Sequence, residues 1–112
     1  MHVKTPKLLA DIIDAAEFIV ETTHGENLPQ YRMNRRLRQA VERNFEIIGE
    51  AVNRLIRIDP AVAQHISNTA EIIAFRNVLI HGYDLIDDEQ VWRIIVDSLP
   101  NLLREARGIS GI

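Results

Sequence analysis

The densest chemistry in the sequence lies in Phe75-Arg76-Asn77-Val78-Leu79-Ile80-His81-Gly82-Tyr83. A guanidinium stays charged at cellular pH and offers a planar fork of donors to phosphate or carboxylate oxygens. An imidazole takes or gives a proton near neutral pH. On a helical wheel begun at Ile72, Arg76 falls at about 40°, between Ile72 and Ile80 at about 80°. Phe75 and Leu79 extend the same apolar surface, so a permanent charge is planted in a greasy face. Burying it unpaired is costly, so it needs a counter-ion, a ligand or water, and Glu46 or Glu50 can serve. Asn77 and His81 are four residues apart and therefore neighbours on a helix. Tyr83 follows one residue beyond, after Gly82. Two ordinary structural accounts compete with a functional one. A histidine at a helix C-terminus can simply meet free carbonyls and the negative end of the dipole. A half-buried arginine can simply pair with a core carboxylate.

The elements that must position these groups read as helices throughout, because apolar spacings of three and four dominate over alternation. A first helix spans about Pro6 to Glu21, with Thr5 as its cap and Pro6 in the first turn. Its inward stripe is Leu8, Leu9, Ile12, Ile13, Ala16, Ile19 and Val20, opposite an acidic face of Asp11, Asp14, Glu17 and Glu21. Thr22 to Tyr31, with Gly25, Asn27 and Pro29, reads as a loop. A long helix spans about Asn34 to Arg57. Leu37, Val41, Phe45, Ile48, Val52 and Leu55 form one stripe, and Ala40, Ile47, Ala51 and Ile58 a second. Together they cover roughly 180° of the wheel, so this helix meets more than one neighbour, in a bundle or across a chain interface. Gly49 inside it costs about 1 kcal/mol relative to Ala, which close packing of another backbone would explain. Asp59-Pro60 opens a short helix through about Ile66. Ser67, Asn68 and Thr69 can cap the next, about Ala70 to His81, and Gly82 offers a left-handed stop. Asp87 and Asp88 begin the last helix, to about Ala106, which Pro100 should kink or split.

With 112 residues, 46% of them hydrophobic, the chain has material for one domain, residues 1–112. Zero cysteines exclude disulfide scaffolds and thiolate metal sites. His2, His24, His65 and His81 have no carboxylate partners at metal-ligand spacing, so no metal site is expected. There is no glycine-rich phosphate loop and no nucleophile elbow. No apolar run is long enough to cross a bilayer and no secretory leader is visible, so the expected location is cytoplasmic. The net charge of −3 argues against a general nucleic-acid coat, yet it is unevenly spread. Arg32, Arg35, Arg36, Arg38 and Arg43 fall within twelve positions holding one acid, Glu42, a net +4 that leaves −7 elsewhere. Such a stripe can dock a phosphate backbone. A solvated helix face is the ordinary alternative.

Arg76, four residues, His81, one residue, Tyr83 matches the R-X4-H-X-Y motif of the HEPN superfamily. More closely, the chain resembles the HepT-like toxins within it. Ile48-Gly49-Glu50-Ala51 is similar to that family's IGEA element, and Arg76–Tyr83 to its RNxxxHxY core. Val91-Trp92-Arg93-Ile94-Ile95 with Leu99-Pro100 is similar to its last helix. The resemblance implies an all-α, up-and-down helical bundle that forms a homodimer. It implies metal-independent RNA cleavage, without cofactor, in a cleft where two copies of the motif meet. Arg76 and His81 would be catalytic, with Asn77 in support by orienting His81 or donating to a phosphate. The arginine stripe would hold flanking phosphates. The resemblance also implies a nucleotidyltransferase antitoxin partner that transfers AMP onto Tyr83, whose charge and bulk would block the site. The alternative function is a non-catalytic helical partner of a nucleotidyltransferase that binds nucleotide in the same pocket. Sequence-specific DNA binding is disfavoured, because no short turn and recognition helix accompany the arginines.

Overall fold

A computed structural model describes residues 1–111. Seven helices follow one another: α1 (Thr5–Thr23), α2 (Leu28–Met33), α3 (Arg35–Ile58), α4 (Pro60–Ala63), α5 (Thr69–His81), α6 (Asp88–Arg93) and α7 (Leu99–Ile109). A 3₁₀ turn, Tyr83–Leu85, links α5 to α6, and a π-helical turn, Ile94–Ser98, joins α6 to α7. No strand occurs among the described residues, and the fold is all-α.

The body measures 42 × 29 × 19 Å. Its thinnest dimension is that of two helix layers at about 10 Å each. Asp59, at the end of α3, touches Thr5 at the start of α1, so the two helices run antiparallel. Arg76 of α5 packs at Gly49 of α3, and Arg76 and Ile80 share a groove with the Arg43–Arg54 stretch of that helix, so α5 lies against the middle of α3. The wide apolar arc of α3 is thereby used twice, by α1 and by α5. Leu37, Val41, Phe45, Ile48, Val52 and Leu55 are all buried, whereas of the second stripe only Ala51 is. The edge-to-face pair of Phe45 and Phe75, 5.3 Å between centroids, joins α3 to α5.

Several local expectations change in three dimensions. Thr5 does not cap α1, whose cap position is Lys4. Its buried hydroxyl instead donates to Asp59 Oδ2 at 2.6 Å. The stretch that reads as a loop ends in a helix. Asn27 and Gln30 form a reciprocal capping box, both bonds 2.9 Å, and start α2. Pro29, read as a breaker, sits in the first turn, where a missing N–H costs nothing. Val20 of the inward stripe is exposed, and Ala15 is buried instead. The short helix ends at Ala63 rather than about Ile66. Asn68 precedes α5 with φ of 60°, left-handed, and makes no side-chain cap bond. Gly82 is not left-handed (φ −128°); its amide closes α5 on the Val78 carbonyl at 2.9 Å. Pro100 does split the last helix: the π turn absorbs the break, and the proline falls in the first turn of α7.

Asp59 ties three segments together. It accepts from Thr5 Oγ1, from the His2 amide at 2.9 Å and, as cap of α4, from the Val62 amide at 3.4 Å. The Thr5 hydroxyl foremost, then the His2 amide, holds its carboxyl below the usual carboxylate range. Its contribution to stability is therefore complete above the ordinary aspartate pKa and is lost as pH falls through the lowered value. Asp59→Asn should lower Tm by several degrees at neutral pH, with the gap from the unsubstituted protein closing as the solution is acidified. A gap independent of pH would show that the ionised carboxylate contributes nothing.

Candidate active site

Helix α5 carries Arg76, Asn77 and His81, and Tyr83 stands in the turn beyond it. The Arg76 side chain is 23% exposed. Its stem lies directly on Gly49: a β-carbon there would be 2.3 Å from Arg76 Cβ and 2.6 Å from Cγ. The glycine thus makes room for a side chain rather than for a backbone. Arg76 Nη2 donates to Glu50 Oε2 at 2.7 Å, and Nη1 donates to Asn77 Oδ1 at 3.1 Å. Nε is buried without a partner. Of the two candidate counter-ions, Glu50 is the one used, while Glu46 pairs with Arg43 at 3.2 Å. Two anchors at its tip and a closed slot at its stem leave the guanidinium little freedom.

At about 100° per residue, Ile80 lies about 40° from Arg76, Ile73 about 60°, Asn77 about 100° and His81 about 140°. These five residues share one side of α5. Asn77 and His81 are exposed, Ile80 is 40% exposed and Tyr83 is 82% exposed. Arg76 and His81 are not bonded to each other; Asn77 stands between them, its carbonyl oxygen held by Arg76 and its amide hydrogens open. The arc joins a fixed cation to an accessible imidazole, the pair needed to hold a phosphate and move a proton beside it.

Glu50 divides its two oxygens. Oε2 takes Arg76, and Oε1 accepts from Arg54 Nε at 2.9 Å. The Arg54 bond foremost, with the Arg76 charge behind it, pulls the Glu50 carboxyl below the usual range. Arg54 was not among the residues the motif singles out. Its place four residues after Glu50 on α3 was the available signal. A groove of about 350 Å³ beside Arg76 collects Arg43, Arg54, Glu46, Glu50 and Asp11 with Ile47 and Ile80.

The arginine stripe is not uniform. Arg32 lies 3.6 Å from Glu89 and Arg38 4.0 Å from Asp88, so both lean on α6. Arg43 reaches the Arg76 groove. Arg35 and Arg36 are exposed and make no ion pair among the described residues. Nearby, Tyr31 is wholly buried on Trp92, 5.4 Å between centroids, and burial raises both its phenol and the Glu42 carboxyl. That cluster fixes α2 to α3 and α6 and lies outside the arc. Among the described residues no three His, Asp or Glu side chains gather as a metal site would require. No helix there is long and apolar enough to cross a membrane.

Gly49→Ala should force α3 and α5 apart or push Arg76 off Glu50. Alanine normally gains about 1 kcal/mol over glycine in a helix. Here over-filling should reverse the sign, for a net loss of about 1–3 kcal/mol in urea unfolding. A gain in stability would show that the slot is not closed.

The description "Ribonuclease HepT-like" matches residues 12–109. "Putative RNase MJ1380" of Methanocaldococcus jannaschii is 34% identical over 99 residues, covering 87% of this chain and 88% of the relative. "Probable ribonuclease HepT" of Thermococcus cleftensis is 31% identical over 98 residues, covering 84% of each. "Putative RNase TTE0752" of Caldanaerobacter subterraneus is 30% identical over 107 residues, covering 95% of each. No solved structure matches the chain. The chain belongs to the HepT-like ribonuclease family.

Proposed function

We propose that this protein is a metal-independent endoribonuclease, the toxin of a toxin–antitoxin pair, working as a homodimer on RNA. The observation that carries the reading is the α5 arc: Arg76 locked by Glu50, Gly49 and Asn77, beside an exposed His81. The family relationship supports ribonuclease chemistry in general. Dimerisation is supported by how little of α5 is covered. Only Leu79 is fully buried, while Ile72, Ile73 and Phe75 are half-buried and Ile80 is exposed. A second copy laid on this face would cover them and supply a second arginine and a second histidine.

RNA brings its own nucleophile. In the proposed reaction His81 of one copy takes the 2′-hydroxyl proton as the 2′-oxygen bonds to phosphorus. The bond from phosphorus to the 5′-oxygen breaks, and His81 of the other copy gives that oxygen a proton. The products are a 2′,3′-cyclic phosphate and a 5′-hydroxyl. Arg76 stabilises the charge that builds on the phosphoryl oxygens. Asn77, its carbonyl taken, can donate to the same group. Arg35, Arg36 and Arg43 are best placed for flanking phosphates, with Arg32 and Arg38 behind them in their contacts with α6.

Tyr83 is proposed as the target of AMP transfer by a nucleotidyltransferase antitoxin. Its 82% exposure in a short turn past the helix end supports access by such a partner. A nucleotide added there would set bulk and negative charge over the RNA site.

His81→Ala should reduce cleavage of total RNA in EDTA by about 10²–10⁴-fold, with helicity and mass in solution unchanged. Undiminished cleavage would remove His81 from the reaction. Nucleotide binding without any cleavage by the unsubstituted protein would favour a binding module instead. Tyr83→Phe should no longer accept label from radioactive ATP in the presence of its transferase; continued labelling would refute Tyr83 as acceptor.

A further inference from the structure

We infer that Arg54 is a positioning residue for the ribonuclease site: by holding the second oxygen of Glu50, it fixes that carboxylate as the shared counter-ion of two arginines, so that Arg76 is anchored yet keeps net positive charge for the substrate. The inference rests on the ribonuclease reading above.

The geometry is a three-membered relay. Arg54 Nε to Glu50 Oε1 is 2.9 Å, and Glu50 Oε2 to Arg76 Nη2 is 2.7 Å. Each oxygen has its own guanidinium, so the carboxylate cannot rotate without breaking one bond. Arg54 and Glu50 lie one turn apart on α3, and the helix itself sets their spacing. Arg76 reaches them from α5 only because Gly49 has no side chain. A carboxylate given wholly to Arg76 would form a bidentate pair and cancel the charge that a phosphate has to meet. Divided between two guanidiniums, it leaves one net positive charge across the three groups, next to the exposed part of the arc. Arg54 is itself mostly exposed, which fits a residue acting on its neighbour from the rim of the groove.

The other charges facing Glu50 leave this division in place. Arg57 acts on it from the same helix without a bond. Arg43 and Glu46, in the same groove, satisfy each other, and Asp11 of α1 is taken by Lys7. If Arg54 is removed, Glu50 loses the bond that most favours its ionised form and one of the two contacts that fix its orientation, so the carboxylate is free to turn and carry Arg76 with it.

The experiment measures kcat and KM of RNA cleavage for Arg54→Gln, Arg54→Lys, Glu50→Gln and the double variant, with circular dichroism to confirm folding. Arg54→Gln should lower kcat about tenfold with KM nearly unchanged, as expected for a misplaced group. Arg54→Lys, which keeps the charge without the rigid fork, should restore part of the loss. The double variant should be no worse than Glu50→Gln alone, because the two residues act as one unit. Equal and independent losses from the two substitutions would overturn the relay. A second measurement separates a direct contact with RNA: the salt dependence of binding to a non-cleavable single-stranded deoxyoligonucleotide. In the Glu50→Gln protein, where Arg54 has no carboxylate to act through, adding Arg54→Gln should leave the slope unchanged, whereas a slope shallower by about 0.7 there would make Arg54 a phosphate ligand and overturn the positioning role. An unsubstituted protein that cleaves while Arg54→Gln behaves identically defeats the relay alone. An unsubstituted protein that cleaves nothing defeats the ribonuclease reading, and the relay with it.

Discussion

The half-buried ion pair between Arg76 and Glu50 is the constraint around which the molecule is arranged. A guanidinium between two helices is tolerable only with a counter-charge in reach, and removing one partner of such a pair leaves the other stranded. The pair in turn requires Gly49, because any β-carbon there would occupy the space of the Arg76 stem. It also requires α3 and α5 to pack in one register, which the Phe45–Phe75 contact helps to set. Core packing and the placement of the charge are therefore one arrangement. A slip of α5 by a turn would lose the aromatic contact and the ion pair together.

Such a fixed cation is useful because the rest of α5 is left open. In most bundles a helix with so many apolar residues would be buried on several sides. Here α3 is its principal neighbour, and its remaining apolar residues are only partly covered. The charge distribution reinforces the direction in which a ligand can approach. On the other side of α5 a groove of about 430 Å³ is lined by Glu71, Asp97 and Glu105 over Phe45, Ile72 and Phe75, with no Lys or Arg among its lining residues. That lining disfavours a polyanion, whereas the arginine-bearing end of α3 carries the opposite charge. The net charge of −3 conceals this division.

The helical class, the need of the long helix for more than one neighbour, the break at Pro100 and the Arg76–Tyr83 constellation were all legible in the order of residues. Period-three-and-four spacing is a local property, and an arginine amid Ile72, Phe75 and Ile80 announces its need for a partner whatever the fold. The capping box at Asn27 and Gln30 was equally local but was masked by Gly25 and Pro29, whose loop signals are stronger. Thr5 misled because a threonine before an apolar run suits a cap, while its actual acceptor, Asp59, is 54 positions away.

The sequence by itself therefore determined which long segments are helical and which residue types gather at the end of α5, since both follow from near neighbours along the chain. Only the tertiary structure decided that Glu50 rather than Glu46 answers Arg76, that Gly49 yields to a side chain, and that Arg54 holds the other half of the carboxylate. Glu46 and Glu50 lie on the same helix one turn apart and are equivalent by spacing. What distinguishes them is the register of α5 across α3, and that register is set by the packing of many side chains at once, not by any single stretch of sequence.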